Sequence, residues 1–349
     1  MVKFYFSVLL LTQFIFPQSS NFDFSGIKQF WNIVRILKAN QQPSSSDWDN
    51  LFNTPGYKVL TSGEFTRQFF ENEFTLVFMP SKKDELQKAL ASGRDLAHLN
   101  HFIKVRDNKQ LMDEQLRKLQ SHNYSADAVK RTLEFLPQSS VSQYPPVSFV
   151  IFENNGRGSS PIVVDLAASI NWDFMSFLSH EFHHWYRNRE LQYAVSKVSW
   201  QDAYLVDALS KIEAEGIADM VDKRDWFTKP SNAVSDYARQ YIYDVSRTPA
   251  VIKQMDKLLS QLNSNPSSAR QIGMQISQTL PEKGHSTGYF MASLILQNIG
   301  KDELVKCVGN PFKFIKLYNQ AAKQSSGQYP AFSDSAIKVI DLLISKYAL

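Results

Sequence analysis

The chain has 349 residues, 43% hydrophobic and 21% charged, enough for one large packed domain or two modest ones. Its net charge of +4 comes from 38 basic and 34 acidic residues with no block of one sign, which argues against a nucleic-acid surface. A single cysteine, Cys307, excludes an internal disulfide framework and a thiolate metal cluster, so any metal site must be built from His, Asp and Glu.

The first stretch, "MVKFYFSVLLLTQFIFPQSSNF", has one early cation, Lys3, an apolar run from about Phe4 to Phe16, then Pro17 and small polar residues. That order predicts a signal peptide over 1–20, cleaved near Ser19 or Ser20, and therefore export to the periplasm or the medium. The alternative is a short membrane anchor, but the run is shorter than the roughly 20 residues a span needs, and no other stretch reaches that length. No stable membrane span is expected once the leader is removed.

Residues 21–140 read as a region of short helices. "SGIKQFWNIVRILKAN" places Ile27, Phe30, Trp31, Val34 and Leu37 at helical spacing, and "SADAVKRTLEFLP" opens on a Ser cap and stops at Pro137. "SSVSQYPPVS" is a connector, because paired prolines disfavour helix. Two β-branched, aromatic-rich runs follow, Val147–Phe152 and Ile162–Leu166, around "NNGRGSS". They predict a hairpin or a pair of neighbouring strands, the one convincing sheet signal in the chain. From Asp173 onward helices return almost to Leu349, with breaks near "KPSN", "SNPSS", "PEKGHSTG" and "SGQYPAFSD". The expected class is α+β, predominantly α-helical, with 141–349 forming a second unit.

"HEFHHW", residues 180–185, gathers three of the chain's seven histidines. On a helix starting near Asn171–Asp173, at about 100° per residue, His180 and His184 fall one turn apart on one stripe beside Glu181. Phe174, Leu178, Phe182 and Trp185 fall on the adjoining side, which would bury the helix. This is H-E-x-x-H: two imidazoles aimed at one zinc ion, and a glutamate beside it to take a proton from water. The competing reading is a histidine-rich surface face. A third ligand decides between them, and "KIEAEGIADMV" supplies Glu215, with Asp219 one turn beyond it to orient a ligating histidine. A His₂Glu set leaves one position open for water, as catalytic zinc sites do. Gly216 predicts a close helix–helix approach. The competing reading makes Glu213, Glu215 and Asp219 a solvated face.

"HEFHH" followed by "EGIAD" resembles the gluzincin metallopeptidases, with their H-E-x-x-H and later E-x-x-x-D. More narrowly it is similar to a group of zinc-dependent peptidases sharing an H-E-F-H-H and an E-G-x-A-D helix. The resemblance is specific over 147–220, looser to about 300, and weak before 140. It implies a zincin-like metallopeptidase core over 141–349, its small sheet packed on the zinc-binding helix. His180, His184 and Glu215 would then be zinc ligands, Glu181 the general base, and Asp219 the partner of His180. It also implies that Ile162–Leu166 is the edge strand along which an extended peptide lies. The G-x-M-E-N segment of one aminopeptidase branch is missing from the chain.

A donor to the developing oxyanion is still required, and "GHSTGYFMASLI" offers His285 and Tyr289, with Tyr289 favoured. His183 points away from the other two histidines, toward a supporting or surface role. His98, His101 and His122 read as surface histidines. The expected function is an exported Zn²⁺-dependent hydrolase of peptide or protein substrates. The alternatives are a catalytically silent or non-proteolytic zincin-like protein that binds peptides or a partner protein, and a metal-free helical interaction protein.

Overall fold

The computed structural model describes residues 21–349 apart from 93–95, 141–142 and 231–232. The leader expected over 1–20 lies outside the described residues, as do parts of the "SSVSQYPPVS" and "KPSN" connectors. β1 (Phe22–Asp23) leads into α1 (Ser25–Lys38), α2 (Ser45–Phe52), α3 (Pro55–Thr61), α4 (Arg67–Phe78), α5 (Lys83–Leu90), α6 (Ala97–Asp107), α7 (Lys109–Ser121) and α8 (Tyr124–Thr132). The sheet is completed by β2 (Val147–Val150), β3 (Gly156–Arg157) and β4 (Ile162–Asp165). Then come α9 (Ala168–Asn171), α10 (Phe174–Arg187), α11 (Ala203–Asp222), α12 (Asp236–Gln261) and α13 (Ala269–Thr279). The chain ends with α14 (His285–Asn298), α15 (Lys301–Val305), α16 (Pro311–Gln324) and α17 (Asp334–Tyr347). The class is α+β and predominantly helical, as the sequence predicts. No helix among the described residues is long and apolar enough to cross a membrane.

Side-chain caps set several helix starts. Ser44 and Asp47 form a reciprocal capping box on α2, and Asp173 accepts from the Ser176 amide at the head of α10. On α8 the cap is Asn123, two residues before the Ser the sequence suggests.

The sheet order is β1-β2-β4-β3. The two predicted strands are neighbours, but they run parallel rather than as a hairpin, with Val147 opposite Ile162 and Val150 opposite Asp165. Both are buried along their whole length, as parallel strands covered on two faces must be. The connection between them spends its residues on β3, which pairs antiparallel with β4. That corrects the expectation for the edge. Ile162–Leu166 is not the free edge, because Gly156–Arg157 covers it and is itself the edge on that side.

One hydrophobic core runs from Ile27 to Tyr347. Phe149 of β2 meets Phe22, Phe24 and Phe174 at ring separations of 5.2, 4.9 and 6.0 Å, which docks the first turn of α10 on the sheet. Two contacts then set α10, α11 and α14 against one another. Arg187 of α10 forms a fully buried pair with Glu213 of α11, whose other oxygen accepts from the Gly309 amide at 2.9 Å. Glu213 is therefore structural and not part of a solvated face. Gly216 of α11 packs backbone to backbone on Gly288 of α14, the close approach its glycine predicts. A Cβ at Gly288 would collide with the Ile212 carbonyl oxygen. Gly288→Ala is expected to lower the unfolding free energy by about 1–3 kcal/mol, read as a lower denaturant midpoint.

His101 is not a surface residue. It is 8% exposed, and its Nε2 lies 3.0 Å from Asp165 Oδ2 at the buried end of β4. Asp165 also accepts the Phe152, Ala167 and Ala168 amides, closing the strand end without loose donors. His122 is exposed as expected, facing Asp127 at 3.0 Å.

Candidate metal centre

Helix α10 carries His180, Glu181 and His184 to the mouth of a cleft of about 620 Å³. Its apolar side, Phe174, Leu178, Phe182 and Trp185, is buried, so the polar stripe is the one left facing the opening. Helix α11 brings Glu215 against it. Glu215 Oε2 lies 3.0 Å from His184 Nε2 and 3.4 Å from His180 Nε2, and the two nitrogens are 2.9 Å apart. The third side of the gathering is α14, whose first residue, His285, places Nε2 3.3 Å from the same Glu215 oxygen. His180, Glu215 and His285 form an overlapping triple of possible ligands.

The residues fit a zinc ion on this geometry. A tetrahedral ion with bonds of about 2.0–2.1 Å separates its ligand atoms by roughly 3.3 Å, close to the triangle formed by His180, His184 and Glu215. The donor set is two imidazoles and one carboxylate, which suits zinc. Glu181 stands beside this triangle. Its Oε2 is buried with no hydrogen-bond partner, pressed against Gly158, whose missing side chain makes room for it. A buried acceptor left unpartnered beside a donor cluster is where a water proton can be received.

Behind the triangle is a network the sequence showed only in part. Asp219 is fully buried and sits 3.3 Å from His180 Nδ1, the expected pairing, but also 3.0 Å from His285 Nδ1. It accepts the Tyr241 hydroxyl at 2.6 Å and meets the Lys223 ammonium at 2.5 Å. Asp222 supplies the hydrogen-bonding partner of His180 Nδ1 at 3.3 Å and meets Lys223 at 2.9 Å. Asp222, Lys223 and Tyr241 were missed by the sequence reading. Two of them carry a local signal: Glu215, Asp219 and Asp222 follow the i, i+4, i+7 spacing of one helix face, and Lys223 stands i+4 from Asp219.

These carboxylates create a field that favours positive charge. Burial opposes ionisation of Glu215, yet the surrounding imidazoles of His184, His180 and His285 hold its carboxyl well below the usual range. Burial and Lys223 oppose a charge on His180, but Asp222 and Glu215 raise its pKa well above the ordinary histidine value. Burial likewise opposes charge on His285, and Asp219 outweighs it and raises the pKa.

The remaining candidates separate. His285 lines the cleft. Tyr289, one turn deeper on α14, is buried; its ring stacks on Phe227 at 4.6 Å and meets Tyr241 edge-on at 6.0 Å. The structure therefore brings His285, and not the favoured Tyr289, to the cluster. His183 is fully buried, with Nε2 3.2 Å from the Phe135 carbonyl; burial, then the charge of His184, pushes its pKa down to about 3. It serves packing, not the cleft.

Fold and cluster together define a mainly helical α+β protein with a His/Glu/Asp site able to hold a metal. A family model described as "Putative zinc dependent peptidase (DUF5700)" matches residues 48–327, and the chain belongs to that family. No match is found among curated proteins or among solved structures.

Proposed function

We propose that the chain is a zinc peptidase of gluzincin type, exported through its leader, with His180, His184 and Glu215 as zinc ligands. The observation that carries this reading is the 2.9–3.4 Å triangle of their ligand atoms beside the buried, unpartnered Glu181 Oε2. When bound, zinc supplies Lewis acidity, polarising a carbonyl and making water acidic near neutral pH. Glu181 takes the proton of the attacking water and passes it to the leaving amine. His285, oriented through Nδ1 by Asp219, holds Nε2 at the cluster 3.3 Å from Glu215 Oε2, where it would donate to the oxygen that gathers charge. Asp222 and Asp219 engage His180 at Nδ1, which fixes its tautomer and would leave Nε2 free to hold a metal.

The test is metal content together with cleavage. Protein purified without chelator is expected to hold about one zinc per chain and to cleave members of a broad peptide library. A chelator should abolish cleavage and added zinc restore it. His285→Ala should keep the zinc, since the histidine is assigned as a donor and not a ligand. Metal-free protein that gains no cleavage on zinc addition would reject the proposal.

A further inference from the structure

We propose that Lys283 recognises a carboxylate on the peptide held in the cleft, making peptides with an acidic side chain or a free C-terminus the preferred substrates. This rests on the peptidase reading above and deepens it.

The first ground is charge. Two cations of the cleft wall can be compared, Arg157 and Lys283. The Arg157 guanidinium is engaged by both Glu64 and Glu153, so its charge is already answered. Lys283 is exposed and has no hydrogen bond or ion pair among the described residues. Glu64, across the opening, feels its charge only as a minor influence beside its bond to Arg157. With a metal held as proposed, the charge of Glu215 is answered by the ion, and Glu64 is engaged by Arg157. An acidic group on the peptide that lies beyond the metal position therefore meets its complementary charge in Lys283, the one unengaged ammonium of the cleft lining.

The second ground is the backbone. Glu282, Lys283 and Gly284 have φ of 45°, 58° and 111°, three consecutive residues in the left-handed region. Only the glycine adopts it without strain. The turn is held in place from both sides. The Tyr237 hydroxyl donates to Glu282 at 3.0 Å, and a Cβ at Gly284 would stand 3.3 Å from the Ile212 amide of α11. Strain retained two residues ahead of His285 points to a side chain whose placement matters, and of the two strained residues only one lines the cleft. That side chain is Lys283.

Binding is measured on zinc-loaded protein carrying Glu181→Gln, so that peptides bind without turning over. Two peptide series are used: Glu, Gln or Lys scanned through each position, and free against amidated C-termini. Carboxylate peptides are expected to bind about tenfold more tightly than their amide counterparts. Adding Lys283→Met should erase that ratio, Lys283→Arg should keep it, and Lys283→Glu should reverse it toward basic peptides. The series that shows the ratio identifies the carboxylate as side chain or terminus. A ratio unchanged by Lys283→Met, no carboxylate preference, or no binding in either series overturns the proposal. Failure of the peptidase reading looks different: carboxylate peptides bind through Lys283, yet the unsubstituted protein cleaves none of them.

Discussion

Glu181→Gln is expected to lower kcat/KM for peptide cleavage by about 10²–10⁴-fold while zinc content stays at that of the parent. The substitution keeps the size of the side chain and removes its ability to accept a proton. Its site tolerates the exchange sterically, because the glutamate lies against Gly158 at the cleft wall and not inside the apolar core. Its buried oxygen has no partner to lose, so the fold and the three ligand side chains should be undisturbed. Zinc content and steady-state cleavage measured on one preparation give a clear reading. Unchanged cleavage would remove Glu181 from proton transfer. Loss of zinc alongside cleavage would instead make it a ligand.

Parts of this site were legible because they depend on a single helix. His180 and His184 share a stripe by helical geometry alone, as do Glu215 and Asp219, and the apolar side of α10 is readable from its spacing. What could not be read depends on contacts between distant segments. His285 reaches Glu215 because Gly288 settles on Gly216, and nothing local to "GHSTGYF" separates a cleft histidine from a turn histidine. Nothing local shows that Tyr289 is enclosed, because its cover by Phe227 and Tyr241 joins three separate segments. The true edge strand is hidden for a similar reason. Gly156 and Arg157 carry no β-branched or aromatic signal, and they pair only because β4 offers its free backbone. His101 reads as a surface residue because its partner, Asp165, lies 64 positions away.

Lys223→Met is expected to destabilise the metal-free protein by about 3–5 kcal/mol, the range for removing one partner of a buried ion pair. Lys223 is 5% exposed, Asp219 is fully buried, and the ammonium stands 2.5 Å and 2.9 Å from Asp219 and Asp222. Without it, two neighbouring carboxylates face each other with only Tyr241 and the imidazoles of His180 and His285 to answer them. Methionine fills much of the lysine stem's volume, so the loss reflects charge more than packing. Adding Asp219→Asn should recover part of the stability, because the pair is coupled and the effects do not add. Zinc brings positive charge to the same carboxylates, so the rise in the urea midpoint on adding zinc should be larger in Lys223→Met than in the parent. Equal zinc shifts, or a loss under about 1 kcal/mol, would mean that Lys223 does not balance this network.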